Sequence, residues 1–267
     1  LKLISNNQKT DEARSFLAQI AETEVDLEGA LKQYLLITDG PEFLYANSRI
    51  GAILLQLKSF SLFTTHFNNI RSRYPHRGEQ LFSIEADLLN KSKLYDRSLE
   101  VFSRGIDLYP KSMNLRYNRS ILAEMHDDLI LAEKDLRIII STDPSNAMAL
   151  NALGYTLANR TNRLEEAYNL ISRALELQPN EPAILDSMGW VLYRQNQYSR
   201  ALEFLKAAYE LLPDPEVAAH IGEVLWVTGE KEAARKIWVK AIKQAPEHKV
   251  LKETIYRFTT QEIILDT

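Results

Sequence analysis

The prolines constrain this chain more than any other feature. Pro41, Pro75, Pro110, Pro144, Pro179, Pro213 and Pro246 follow one another at intervals of 34, 35, 34, 35, 34 and 33 residues. The other two, Pro182 and Pro215, lie just past two of them. Proline has no backbone N–H and clashes with the preceding turn, so it ends a helix or opens the next one. A joint at so constant a period is the mark of a tandem array. Between the joints, apolar residues recur at helical spacing.

The clearest unit is Pro182–Asp214, which reads PAILDSMGWVLYRQNQYSRALEFLKAAYELLPD. With Pro182 as position 1, Leu185, Met188, Gly189 and Leu192 occupy positions 4, 7, 8 and 11, and Ala201, Leu205, Ala208 and Pro213 occupy 20, 24, 27 and 32. Small residues at 8, 20 and 27 let two antiparallel helices and the next pair approach closely, while large apolar residues fill the gaps. In residue type and spacing this is the tetratricopeptide (TPR) pattern, so the fold class is predicted as all-α, a superhelical solenoid of antiparallel helix pairs. Leu150, Leu153, Gly154, Leu157, Ala167, Ile171, Ala174 and Pro179 repeat the pattern, as do Ala218, Ile221, Gly222, Leu225, Ala234, Trp238, Ala241 and Pro246. A generic bundle has no reason to fix small residues and proline at one period.

The organisation predicted from this register is a leading segment 1–9, a degenerate unit 10–43, repeats at 44–78, 79–112, 113–146, 147–181, 182–214 and 215–248, and a capping helix within 249–267. The degenerate unit reads as helices near Glu12–Glu22 and Leu27–Ile37, and the closing helix runs from Val250 to about Ile264. One extra residue in the turn at Asn159–Arg163 accounts for the 35-residue length of 147–181. The pattern weakens toward the N-terminus, where Ser120 stands at position 8 of its unit and Phe63 occupies a position that wants a small residue.

Composition narrows function. The chain of 267 residues is 45% hydrophobic and 25% charged, an ordinary core-forming mixture. Its net charge of −4 and lack of any Lys/Arg-rich run give no purchase for nucleic acid. Without cysteine there is no disulfide, thiol nucleophile or Cys-based zinc site. No apolar run reaches the roughly 18–20 residues needed to span a bilayer. The chain starts at Leu1 without an initiator Met or signal peptide and reads as a fragment or processed form.

In such an array the first helix of each unit lines a concave groove, and function is expected at positions that packing leaves over, about 2, 5, 9, 12 and 13. Those positions select Tyr117, Asn151, Tyr155, Asn159, Asp186, Trp190, Tyr193, Arg194, Glu223 and Trp226 as the candidate partner-binding groove. Aromatics and Arg dominate protein–protein hot spots, and Asn amides can bond the backbone of an extended peptide. The competing reading is that each aromatic only packs. Trp190 is the favoured contact, because following Gly189 it is expected beside the packing face and not on it. Trp238, at position 24, is expected in the core.

No catalytic or metal arrangement emerges, so the chain is read as non-enzymatic and without a cofactor. The five histidines are scattered over different units with no HExxH spacing. His126-Asp127-Asp128 falls where a solvated turn between helices is expected. No GxSxG or Gly-rich phosphate loop is present, and Glu165-Glu166 lie in a helix's first turn, where the dipole favours acids.

Three segments carry a narrower resemblance: LNALGYTLANRTNRLEEAYNLISRALELQPNEPAILDSMGWVLYR (Leu150–Arg194), PEVAAHIGEVLW (Pro215–Trp226) and LKETIYRF (Leu251–Phe258). Over residues 150–258 the chain resembles Gram-negative TPR lipoproteins tethered to the inner face of the outer membrane. Their best-understood type is an adaptor that binds a periplasmic carboxyl-terminal processing protease, assembles its active form and brings it substrates such as cell-wall hydrolases. The resemblance implies a protein scaffold of the bacterial envelope, periplasmic and outer-membrane-associated through a lipidated N-terminal Cys that this chain does not contain. The alternatives are a scaffold of outer-membrane export or pilus assembly and a cytosolic chaperone-binding module. The last needs Lys and Asn at groove positions 5 and 9, which here read Tyr117/Ile121, Asn151/Tyr155 and Asp186/Trp190.

Overall fold

The computed structural model describes residues 10–38 and 40–265, with side chains through Thr259. The predicted leading segment 1–9 lies outside the described residues. Among these there are α-helices, one short 3-10 turn at Pro75–Arg77 and no strand. The chain divides into two compact units, Leu1–Asp128 and Leu129–Thr267. The first holds α1 (Thr10–Thr23), α2 (Leu27–Tyr34), α3 (Phe43–Gln56), α4 (Phe60–Arg73), α5 (Gly78–Lys91), α6 (Tyr95–Leu108) and α7 (Met113–Met125). The second holds α8 (Leu129–Thr142), α9 (Ala147–Arg160), α10 (Leu164–Leu177), α11 (Pro182–Arg194), α12 (Tyr198–Leu211), α13 (Pro215–Val227), α14 (Lys231–Gln244) and the closing α15 (Lys249–Leu265). α2 stops short of the predicted Ile37 because its end tightens into i→i+3 bonds, Leu36 N–H to Gln33 and Ile37 N–H to Tyr34.

The joints form as proline and polar caps dictate. Pro182 and Pro215 open α11 and α13, where the missing N–H has no intrahelical partner to lose. Ser112, Asn146 and Asp214 accept N–H bonds from Leu115, Ala149 and Glu216 and so satisfy donors that a helix start leaves free. The turns inside the pairs are also periodic. Val25, Lys58, Lys93, Asp127, Asn196 and Gly229 all have positive φ, between 55° and 91°. After each, an N–H reaches back six residues inclusive: Asp26 to Ala21, Ser59 to Leu54, Leu94 to Leu89, Asp128 to Ala123, Gln197 to Leu192 and Glu230 to Leu225. This Schellman cap satisfies the last carbonyls of the first helix and reverses the chain. The α9–α10 turn, with its inserted residue, departs: Thr161 is extended, and its hydroxyl bonds Leu157 O at 2.7 Å.

In the second unit the small positions do what spacing demands. A Cβ on Gly154 would meet Ile171 Cγ1 at 2.5 Å, one on Gly189 would meet Leu205 Cγ at 2.5 Å, and one on Gly222 would meet Trp238 Nε1 at 2.0 Å. Position 8 of each first helix thus receives the position-24 side chain of its second. Ala167, Ala201 and Ala234, at position 20, are fully buried. Trp238 lies in the core as expected, 1% exposed.

Candidate partner-binding surface

The predicted strip divides by accessibility. Asp186, Trp190, Glu223 and Trp226 are buried, at 6–9% exposure, while Tyr117, Asn151, Tyr155, Asn159, Tyr193 and Arg194 are half-buried. The expectation that Trp190 stands clear of the packing face is corrected. Its ring stacks on His220 with centroids 4.2 Å apart and touches Tyr193 at 5.1 Å. The physical reason is the next first helix, α13, which lays His220 over the indole.

Polar contacts run along this strip between first helices, from each to the next and, through Tyr155, to the one beyond. His220 Nδ1–H donates to Asp186 Oδ1 at 2.8 Å. Tyr193 Oη donates to Glu223 Oε1 at 2.9 Å, Arg257 of α15 pairs with the same carboxylate, and Tyr155 Oη donates to Glu216 Oε1 at 3.0 Å. Trp226 stacks on Trp238 at 5.5 Å, and Lys231 and Arg235 lie over its ring at 5.1 and 5.0 Å. Burial lowers the His220 pKa, but the Asp186 carboxylate and its hydrogen bond, aided by Glu216 and Glu223, outweigh it, so the imidazole is held above its ordinary range. Burial together with the Glu223 charge drives the Tyr193 phenol far up, keeping it a donor.

Arg194 serves the fold as well. Its guanidinium donates to the carbonyls of Ala158, Asn159 (3.2 Å) and Thr161 (3.3 Å). These lie at the C-terminal end of α9, the helix whose inserted turn lacks the Schellman cap. An arginine from the following repeat supplies the missing donors, with its charge at the favourable end of the helix dipole.

The first unit offers a different feature. Tyr117 and Ile121 of α7 line a cleft of about 320 Å³ with Asp87, Asn90, Phe102 and Met125. Met125 is 61% exposed and Ile121 38%. Burial raises the pKa of Tyr117 and of Asp87, although Lys91 partly offsets the latter. The cleft therefore pairs accessible apolar surface with amide and carboxyl groups. Sequence reading selected Tyr117 but missed Asp87, Asn90 and Met125. Asp87 and Asn90 are positions 9 and 12 of 79–112, a unit in which the strip was not read.

His126 caps α7 at the predicted turn and lies against Tyr95, centroids 3.5 Å apart. Among the described residues no three His, Cys, Asp or Glu side chains are placed to share a metal ion, and no helix is long and apolar enough to cross a membrane.

Comparison with known proteins agrees with this architecture. The tetratricopeptide repeat family matches residues 130–182 and 187–248. Over 94% of its length the chain is 42% identical to the TPR repeat-containing protein PA4667 of Pseudomonas aeruginosa, and it spans 43% of that relative. Among solved structures it is similar to a tetratricopeptide repeat protein from Parabacteroides merdae, with a TM-score of 0.65 at 14% identity, covering 92% of this chain and 97% of that one. It is also similar to PilW, described as a widely conserved type IV pilus biogenesis factor, with a TM-score of 0.59 at 14% identity, covering 81% and 100%. The chain is thus an all-α solenoid assembled from tetratricopeptide repeats.

Proposed function

We propose that this chain is a non-catalytic protein-interaction scaffold of the bacterial envelope, an adaptor that binds and activates a carboxyl-terminal processing protease and presents substrates to it. One observation carries the binding role: the Tyr117 cleft, where exposed Met125 and Ile121 sit beside Asp87 and Asn90 on helices held rigid by repeat packing. Such a cleft takes an apolar side chain of a polypeptide and bonds its backbone. The protease and the periplasmic, outer-membrane-associated location rest on the resemblance of Leu150–Arg194, Pro215–Trp226 and Leu251–Phe258. Identity to a TPR protein of a Gram-negative bacterium supports that setting.

Of the predicted strip, Tyr117, Asn151, Tyr155 and Asn159 keep accessible edges and are the contacts we favour. The test is calorimetry of this chain against a purified periplasmic carboxyl-terminal processing protease, with protease turnover measured alongside. Binding is expected, with faster turnover, and Tyr117→Ala combined with Met125→Asp should weaken it by about 2 kcal/mol. Neither binding nor activation would remove the adaptor reading. Likeness to a pilus biogenesis factor favours, as a second reading, a scaffold of pilus assembly. Capture of purified pilus components in place of the protease would select it.

A further inference from the structure

The second helices of the repeats turn one face outward, and on α14 that face is basic without acidic partners among the described residues. On α12, repeat positions 22, 25 and 29 are Glu203, Lys206 and Glu210, and on α10 they are Asn169, Ser172 and Glu176. On α14 the same positions are Lys236, Val239 and Lys243, with Lys240 at position 26. α14 carries five basic residues and one acidic. From Lys231 to Phe258 the chain has a net charge of +5, against −9 for the rest.

The basic residues are presented together. Lys236, Lys240 and Lys243 recur at i, i+4 and i+7, which places them on one helix face. They line a shallow groove with Arg235 and Val239. All three lysines are exposed, and Val239 at their centre is 51% exposed. The one acid of the helix, Glu232, is engaged by Arg235 at 2.5 Å. Among the described residues none forms an ion pair with Lys236, Lys240 or Lys243. By contrast, the outward charges of α8 and α10 neutralise one another, with Arg163 and Arg137 each bonded to both Glu133 and Glu166.

We propose that the outer face of α14 is a second docking surface, separate from the Tyr117 cleft, and that its occupant is an acidic protein segment with carboxylates spaced around one apolar side chain. Lys240 lies over the Tyr209 ring at 5.6 Å, but like charges without an acidic partner still repel one another, and an acidic segment relieves that while steering its own approach. A membrane surface fits less well. The large apolar side chain of α14, Trp238, is turned into the core with Ala234 and Ala241, leaving Val239 alone to insert, whereas interfacial helices bury a broad apolar face. The surface does not depend on which protein the adaptor serves.

The probe is a fluorescein-labelled helical peptide the length of α14, with glutamates flanking a single leucine, titrated against the whole chain by anisotropy. We expect binding that weakens as salt rises. Lys236→Glu/Lys240→Glu/Lys243→Glu should reduce affinity at least about tenfold. Val239→Asp should reduce it as well, and Lys206→Glu on α12 should leave it unchanged. Replacing the three lysines with Gln repeats the test without charge reversal, and circular dichroism checks that each variant is folded. Equal affinity of the folded lysine variants and wild type overturns the proposal. So does binding to phosphatidylglycerol vesicles without binding to the peptide, or sedimentation showing that this face joins two copies of the chain.

Discussion

The two compact units solve one spacing problem with different chemistry. In the second, position 8 is glycine and position 20 alanine, and a Leu, Ile or Trp at position 24 seats in the gap. In the first, the α3–α4 pair keeps Gly51 but puts Phe63 at position 20, where it is buried and tilted against Phe67 at a centroid distance of 5.0 Å. That pair approaches less extensively than α9–α10 or α11–α12. Its second helix instead reaches α5 through Arg71, whose guanidinium lies 4.0 Å over the Phe82 ring and pairs with Glu85 in the interior. In the second unit the His220–Asp186 pair and the Trp190–His220 stack instead join successive first helices. A repeat pattern is therefore one solution to helix pairing among several, and departures from it mark where another interaction has taken over.

The comparison predicts a sharp asymmetry under mutation. Glu85→Ala in the first unit leaves Arg71 charged and unpaired at 9% exposure, and should cost about 3–5 kcal/mol in denaturant unfolding. A loss under about 1 kcal/mol would mean that the arginine reaches water and the pair does not hold α4 to α5.

The units should also answer pH in opposite directions. His66 donates to Asn47 Oδ1 at 2.8 Å. Burial, then the Arg71 charge, lowers its pKa to about 4. The unfolded chain takes up that proton at about 6.5, so the first unit is fully stabilised above about pH 6.5 and loses up to about 3 kcal/mol as pH falls toward 4. His220 is raised, so its contribution is complete below about pH 6.5 and disappears as pH rises through the raised value. Amide exchange read separately for each unit should show the first loosening as pH falls below about 6.5 and the second as pH rises above it. His66→Gln and His220→Gln should each flatten one profile alone.

Next in size is Gly189→Leu. The new side chain meets Leu205 and the Ala201 carbonyl oxygen, which is 3.1 Å from the first added carbon. Overpacking should destabilise by about 1–3 kcal/mol. An unchanged melting temperature would break the argument that close approach fixes glycine there.

The sequence made the architecture legible because its causes are local or strictly periodic. Proline marks joints wherever it stands, and the glycine–alanine spacing repeats within one helix pair. The inserted residue near Asn159–Arg163 was visible as length, but not that Arg194 caps the helix it leaves open. The candidate groove was legible only in part because burial at positions 5, 9 and 12 is decided by the next repeat. Asp186 meets His220 34 residues on, Glu223 meets Arg257 at the same separation, and Arg194 reaches back 36 residues to Ala158. A search for oppositely charged or hydrogen-bonding partners one period apart would have flagged the first two. Asp87 and Asn90 stand at groove positions 9 and 12 of unit 79–112, where the repeat pattern is weak, and their place beside Tyr117 is set by the next first helix.

The central claim is that Trp190, Tyr193 and Trp226 of the second unit hold successive repeats together, leaving partner contacts to accessible surfaces such as the Tyr117 cleft. Equilibrium denaturant unfolding of Trp190→Ala tests it most directly. Loss of a buried indole stacked on His220 should lower stability by about 3–5 kcal/mol. Unchanged stability, with weakened binding to the processing protease, would contradict the account and make Trp190 a contact.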